Sequence, residues 1–140
     1  IERYFAVLPR VRDYLEDSAR EAQARGYTRT LFGRIRPLGE VSTVEGRGGG
    51  ALDRVAVNTP IQGTAADIAR RAMVDLIRDL GPGERGIRLV LQVHDSLVCQ
   101  VPRERLEEAT ERLRRAMEGA AVLSVPLETV SKSGASLADL

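Results

Sequence analysis

Apolar residues recur every three or four positions along much of the chain, which is the pattern of helices with one buried face. This spacing predicts helices over residues 1–25, 51–80 and 103–118. Pro9 fits the first turn of a second helix inside the first range, and Gly26 fits the end of that helix. Pro60 is expected to kink or restart the long helix.

The apolar stripe of the long helix is predicted to face a core. It comprises Ile61, Ala65, Ile68, Ala72 and Leu76, with Ala69, Met73 and Leu80 beside it. In the third helix the residues expected to point inward are Leu106, Ala109, Leu113 and Met117.

Two other stretches alternate between apolar and polar residues with a period of two, which is typical of strands. Residues 87–101 predict a β-hairpin with one buried face. One side of it is expected to carry Ile87, Leu89, Leu91 and Val93, followed after the turn by Leu97, Cys99 and Val101. Residues 27–32 and 35–38 predict a shorter hairpin, residues 39–50 a glycine-rich loop, and residues 122–130 a returning strand.

These elements predict an α+β fold, a small antiparallel sheet with helices packed on one face. The composition of 43% hydrophobic and 29% charged residues is ordinary for a protein with a buried core. The sequence has no apolar run long enough for a membrane span, and no signal peptide is expected. With its single cysteine, Cys99, it is expected in the reducing cytoplasm, where that residue fills a core position.

The formal net charge is only +1, but the charges are unevenly placed. Residues 25–39 contain four arginines and no acidic residue, with Tyr27 and Phe32 between them. Such a stripe is typical of a surface that binds a phosphate backbone. A solvated face, balanced by acids elsewhere, explains it equally well.

The turn of the longer hairpin carries the candidate chemistry. His94, which is the chain's single histidine, and Asp95 lie between the two apolar runs. A hairpin can hold Asp95 rigidly where a metal ion or phosphate could reach it. An aspartate at a turn is also common because its side chain satisfies backbone groups there.

Two segments in this order closely resemble the family A DNA polymerases, the DNA polymerase I group: residues 58–68 (NTPIQGTAADI) and 91–95 (LQVHD). Residues 1–5 (IERYF), 9–11 (PRV), 27–34 (YTRTLFGR) and 125–128 (VPLE) resemble further segments of that family in the same order. The resemblance implies that residues 1–140 are the C-terminal part of the polymerase domain, a palm with adjoining helices and no separate second domain. Because the first residue is Ile1, the chain is expected to begin inside a larger polymerase.

The resemblance also implies an activity in DNA replication or repair, the addition of deoxynucleotides to a primer 3′ end with two Mg²⁺ ions. It makes Asp95 a metal ligand and His94 a residue near the primer terminus. It assigns DNA contacts to Arg54, Asn58 and Gln62, and the basic stripe adds Arg29 and Arg34. Asn58 and Gln62 lie four residues apart and so share a helical face, from which amides can read minor-groove acceptors.

The implied partners are primer–template DNA, deoxynucleoside triphosphates and the remainder of the polymerase chain, with no membrane partner and a nucleoid-associated location. Ser96 stands where the family usually has glutamate, and the family's other essential aspartate and its fingers lysine and tyrosine lie upstream. The isolated chain is therefore expected to be inactive. The alternative is a catalytically incomplete nucleic-acid-binding remnant. A metal-dependent phosphohydrolase would need more histidines than His94.

Overall fold

A computed structural model of the protein describes residues 2–39 and 49–139, with the backbone alone for residues 49–53. The described chain consists of helices and two antiparallel hairpins, which confirms the α+β class. In chain order the elements are α1 (Glu2–Val7), α2 (Pro9–Arg25), β1 (Tyr27–Arg29), β2 (Ile35–Pro37), α3 (Gly49–Leu80), β3 (Arg88–Val93), β4 (Ser96–Gln100), a 3₁₀ turn (Arg103–Arg105), α4 (Leu106–Glu118) and a second 3₁₀ turn (Leu137–Asp139).

The chain divides into two compact units, one up to Asp67 and the other from Ile68 onward. In the first unit, α2 begins with Pro9 and ends at Gly26, as predicted. Gly26 adopts a left-handed conformation with φ 72°, and its N–H donates to the Ala22 carbonyl at 2.9 Å. The first unit's core contains Ala22, Leu38 and Ala56.

The predicted hairpin of the first unit is confirmed, with shorter strands than expected. β1 pairs with β2 so that Thr28 lies opposite Arg36. In the connecting turn the Thr30 N–H donates to the Arg34 carbonyl at 3.0 Å, and Gly33 has φ 85°. Only glycine adopts that conformation at little cost, so Gly33 allows the chain to reverse here.

The long helix α3 is confirmed but starts earlier than predicted, because residues 49 and 50 are helical. Residues 40–48 of the predicted loop lie outside the described residues. Pro60 lies inside one continuous helix of 32 residues. Neither α3 nor any other helix in the two described ranges is long and apolar enough to cross a membrane.

The prediction that the apolar stripe of α3 is buried is correct only for the part of the helix in the second unit. Ala72 and Leu76 are fully buried there. Ile61, however, is 58% exposed, and Ala65 is exposed as well. The first unit buries a different side of the helix, the side with Ala56, because the β1–β2 hairpin hydrogen-bonds there.

The longer hairpin contains a β-bulge that the alternating pattern does not indicate. Leu89 pairs with Cys99, whereas Leu91 pairs with Val98, so Val90 has no residue opposite it. Since paired residues face the same side, the extra residue moves Leu91 away from the side of Leu89. The prediction that Leu89, Leu91 and Val93 share the buried side is therefore wrong.

The exposures of the hairpin agree with the bulge. Leu97 is buried, and Leu89 packs against the core of the second unit. Leu91 and Val93 are 44% and 46% exposed. Partial burial raises the pKa of the Cys99 thiol, as fits a core cysteine.

In the second unit, residues of α3, β3, β4 and α4 meet in one core. Its members are Ile68, Ala72, Met73, Leu89, Leu97, Leu113, Met117 and Ala120. Ala109 is also buried, so α4 presents the predicted side to the interior.

The predicted strand over residues 122–130 is wrong, because the described chain forms no regular strand there. A strand needs a partner for its backbone groups, and no strand of the described chain pairs with this segment. Val122 and Val130 are accordingly 99% and 91% exposed. Glu118 holds the segment instead, accepting hydrogen bonds from the Thr129 N–H at 3.2 Å and hydroxyl at 2.9 Å.

Candidate nucleic-acid interface and hairpin tip

The β1–β2 hairpin satisfies a carbonyl group that Pro60 leaves without its usual donor. Proline has no N–H and so cannot donate to the Ala56 carbonyl one helical turn earlier. The Thr28 hydroxyl donates to that carbonyl oxygen at 3.3 Å. Both Thr28 and Ala56 are buried. The hairpin therefore allows a proline inside α3 at this point.

A second group of contacts joins the hairpin turn to α3 beyond Pro60. The Arg34 Nε donates to Asp67 Oδ1 at 2.8 Å, and its Nη2 donates to the Gly63 carbonyl at 3.0 Å. The Leu31 N–H donates to the Thr64 hydroxyl oxygen at 2.9 Å. We call the contacts of Arg34 with Gly63 and Asp67 the arginine latch.

Gly63 permits this close approach of hairpin and helix. A Cβ atom at this position would lie 2.7 Å from Cγ2 of Thr30, a distance at which one of them must move. Thr30 is only 4% exposed. A larger residue at position 63 would therefore push the hairpin away from α3.

Three predicted DNA-binding residues lie on another side of the same helix. Arg54, Asn58 and Gln62 follow one another at four-residue spacing and are all exposed. Each step of four residues advances about 6 Å along a helix and turns little more than a full circle. The structure therefore places the three side chains in one row, which we call the polar row.

The basic stripe is partly engaged within the protein. Arg25 pairs with Glu21 at 3.0 Å, and Arg36 donates to the Thr59 hydroxyl at 3.3 Å. With Arg34 in the latch, Arg29 remains as an exposed arginine that forms no ion pair within the described residues. DNA contacts by Arg29 and Arg34 stay predictions.

The tip of the longer hairpin is a two-residue turn formed by His94 and Asp95, since Val93 pairs directly with Ser96. His94 has φ 53°, a conformation that residues other than glycine rarely adopt. Short hairpin turns require such a backbone, because it matches the twist of the strands. The Gln92 side-chain amide donates to the His94 carbonyl at 3.1 Å and ties the turn to β3.

Asp95 is exposed, and within the described residues its carboxylate forms no ion pair or hydrogen bond. If Asp95 served only to satisfy the turn backbone, its carboxylate would accept a hydrogen bond from a backbone N–H of the turn. The described residues show no such bond. The described residues also contain no group of three or more His, Cys, Asp or Glu side chains that could hold a metal ion. The hairpin tip thus offers one carboxylate, which suits a metal ion whose other ligands are water, substrate or residues outside the hairpin.

Sequence reasoning missed an ion-pair network in the second unit. Arg105 binds both oxygens of Glu84, at 2.5 and 3.0 Å, and its Nε also donates to Glu108 at 2.9 Å. Glu84 accepts the Ile87 N–H at 3.4 Å, next to the start of β3. The hydrogen bonds from Arg105 lower the pKa of the Glu84 carboxyl. Glu84 and Arg105 lie 21 residues apart, so no local spacing pointed to their contact.

The two latch residues on α3 are absent from the sequence prediction for another reason. The resemblance assigns DNA contacts to Asn58 and Gln62 in this segment, but it gives no role to Gly63 and Asp67, which contact the hairpin. Their four-residue separation was a usable signal, because it places both on one helical face.

Comparison with known proteins places nearly the whole chain in one family. The family model described as DNA polymerase family A matches residues 1–139. The thermostable DNA polymerase I of Thermus filiformis is 46% identical over 128 residues, which cover 91% of this chain and 15% of that protein. DNA polymerase I of Streptococcus pneumoniae is 39% identical over 135 residues, which cover 96% of this chain and 15% of that protein.

A solved structure shares the fold. It is the POL domain of Pol1 from M. smegmatis, in complex with DNA primer-template and dNTP, and it superposes with a TM-score of 0.84 at 39% identity. The match covers 91% of this chain and 22% of that one. The chain thus spans about 15% of the length of the DNA polymerase I relatives that it matches.

Proposed function

Because the chain belongs to DNA polymerase family A, we propose that it forms part of a DNA-directed DNA polymerase. The reaction is attack of the primer 3′-hydroxyl on the α-phosphate of an incoming deoxynucleoside triphosphate, with release of pyrophosphate. The observation that carries this proposal is the exposed carboxylate of Asp95, held without a protein partner in the described residues at a strained two-residue turn. The DNA primer-template and dNTP bound in the similar Pol1 structure support the same partners here.

The polar row suits the recognition of primer–template DNA without regard to sequence. The minor groove presents acceptors at purine N3 and pyrimidine O2 in every correctly formed base pair, whichever way the pair is oriented. The exposed amides of Asn58 and Gln62 can donate to such acceptors. The Arg54 guanidinium can bind a backbone phosphate at the same surface.

Asp95 fits Mg²⁺ as one of several ligands. Mg²⁺ in nucleotide sites usually takes one or two carboxylates and completes its shell with water and substrate phosphates. When bound, Mg²⁺ stabilises charge on the attacking and leaving oxygens. Asp95 supplies one fixed oxygen donor, and Ser96 beside it offers a hydroxyl, which is a weaker ligand than glutamate. The adjacent imidazole of His94 positions the primer terminus.

A direct experiment separates this proposal from a protein that only binds nucleic acid. The full-length gene product is incubated with a primer–template that has a 5′ overhang, one deoxynucleoside triphosphate at a time, with and without Mg²⁺. We expect extension only by the complementary nucleotide and only with the metal. Tight DNA binding without extension would contradict the proposal and support the binding protein.

The contact proposed for Arg54 predicts a change in salt dependence. Loss of one phosphate contact in Arg54→Ala should weaken binding evenly across DNA sequences and reduce the slope of log K against log salt by about one unit. Arg20→Ala is the control, since Arg20 pairs with Asp17 on α2. Fluorescence anisotropy over a salt series measures the DNA affinity and the salt slope of both variants. An unchanged slope in Arg54→Ala would show that Arg54 does not contact phosphate.

A further inference from the structure

One segment of α3 serves two surfaces at once. Gln62 lies in the exposed polar row, and its neighbour in sequence, Gly63, lies where the hairpin turn meets the helix. A contact that holds the Gly63 carbonyl also holds the backbone of the adjacent Gln62. It therefore fixes the direction of the Gln62 side chain.

We infer that the arginine latch is a positioning element for Gln62, through which Arg34 and Asp67 govern the selection of correctly paired primer ends. This inference rests on the proposed polymerase function. Neither residue needs to touch DNA for this role.

The geometry of the latch suits the positioning of one helical turn. A single guanidinium spans from the Gly63 carbonyl, at 3.0 Å, to the carboxylate of Asp67, at 2.8 Å. These two groups lie four residues apart, so the planar guanidinium bridges the turn of α3 that directly follows Gln62. A lysine ammonium cannot reproduce two such donors at fixed angles.

The preceding turn of the helix has a particular need for external contacts. Pro60 removes one backbone hydrogen bond from α3, and bends are common where that bond is lost. Thr28 contacts the helix on the N-terminal side of Pro60, at Ala56, and the latch contacts it on the C-terminal side. Gln62 lies between these two attachments.

The competing explanation is that the latch only stabilises the fold. The Arg34 side chain is 49% exposed, and ion pairs with exposed members usually contribute little to stability. The two explanations differ in how the latch couples to Gln62. If the latch positions Gln62, breaking the latch should no longer affect primer-end discrimination once the Gln62 amide is removed. If the latch is purely structural, breaking it should have the same effect with and without that amide.

The experiment measures discrimination, the ratio of kcat/KM for a matched primer end to that for a mismatched end, in the full-length gene product. The variants are Asp67→Asn, Gln62→Ala and the double variant. Asp75→Asn is the matched control, because Asp75 lies on the same helix and pairs with Arg78 within it. Circular dichroism and thermal unfolding verify that each variant is folded at the assay temperature.

We expect Asp67→Asn to change discrimination by about two- to tenfold, which is the lower part of the range of coupling between contacting residues. In the Gln62→Ala background the same substitution should cause no further change, and Asp75→Asn should behave as wild type. If Asp67→Asn is unfolded, Arg34→Lys takes its place, with the same expectation.

Two outcomes would overturn the inference. If wild type extends primers but the latch variants leave discrimination unchanged, or change it equally with and without Gln62, the latch is only structural and the polymerase function stands. If wild type extends no primer, the proposed function fails and this inference fails with it.

Discussion

At the scale of single residues, neighbours in one short segment have opposite surroundings. Asn58 and Gln62 are exposed, whereas Gly63 and Asp67 contact the β1–β2 hairpin. The difference follows from helical geometry, since adjacent residues point about 100° apart. An exposed amide that bonds to nothing in the described chain is a natural recognition group, and Gln62 is such a residue.

Gln62→Ala should therefore alter the extension of matched primer ends more than that of mismatched ends. Only a correctly formed pair places its minor-groove acceptor where the amide can reach it. Steady-state extension from both kinds of end measures the effect, which we expect at about five- to fiftyfold in kcat/KM for the matched end.

Arg78→Ala is the control, because the Arg78 side chain is 77% exposed on the same helix and is assigned no DNA contact. Equal extension by Gln62→Ala and wild type from both ends would mean that Gln62 is only a surface residue.

At the scale of elements, local signals identified the helices but not which faces they bury. Pro9 and Gly26 bound α2 as expected, because their chemistry acts within one turn. Ile61 proved exposed because the β1–β2 hairpin contacts another side of α3, and that contact joins residues about 30 positions apart. Pairing over such distances leaves no periodic trace in the sequence.

The longer hairpin and the C-terminal segment also show that local sequence patterns do not reveal how strands pair. Alternation around residues 87–101 correctly predicted two strands, but the bulge at Val90 has no signature in a run of apolar residues. Residues 122–130 have the composition of a strand but no partner in the described chain. Of the candidate site, the shared helical face of Asn58 and Gln62 follows from their spacing in sequence, whereas the latch and the Glu84 network required the structure.

The contact between the β1–β2 hairpin and α3 predicts a compensating pair of substitutions. Gly63→Ala raises helix propensity by about 1 kcal/mol. It should nevertheless destabilise the protein by about 1–2 kcal/mol, because the new Cβ would meet Thr30 Cγ2 at 2.7 Å.

Thr30→Ser removes that methyl group and keeps the hydroxyl oxygen that accepts the Arg34 N–H at 3.1 Å. The double variant should thus be more stable than Gly63→Ala alone. Chemical denaturation measures the free energy of unfolding of wild type, Gly63→Ala and the double variant. A Gly63→Ala variant as stable as wild type would contradict the close approach.

At the scale of the whole molecule, each of the two units attaches a hairpin to a helix through an arginine–carboxylate contact. Arg34 and Asp67 do so in the first unit. In the second, Arg105, which directly precedes α4, binds Glu84, and Glu84 in turn accepts the Ile87 N–H beside β3. The candidate DNA-binding residues of α3 and the candidate metal ligand at the hairpin tip thus each belong to a unit with its own anchor.

The second anchor predicts a dependence on pH. Because Arg105 lowers the pKa of Glu84 in the folded protein, the contact contributes stability above the ordinary carboxyl value of 4.5 and loses it as the pH falls through the lowered value. Glu84→Gln should reduce the hydrogen-exchange protection of the Ile87 amide at pH 7 by about threefold or more. The difference from wild type should shrink below pH 4.5.

Glu104→Gln is the control for Glu84→Gln, since Glu104 is exposed in the neighbouring 3₁₀ turn. A difference that stayed constant from pH 7 to acid would show that the charge of Glu84 does not anchor the hairpin.

Single-turnover extension by Asp95→Ala in the full-length gene product measures whether Asp95 is a metal ligand for phosphoryl transfer. A lost ligand acts on transition-state charge, so the rate at saturating nucleotide should fall by about 10²- to 10³-fold. Affinity for primer–template should stay near that of wild type. A variant that kept near-normal turnover with Mg²⁺ would show that Asp95 is only a turn residue and not a metal ligand.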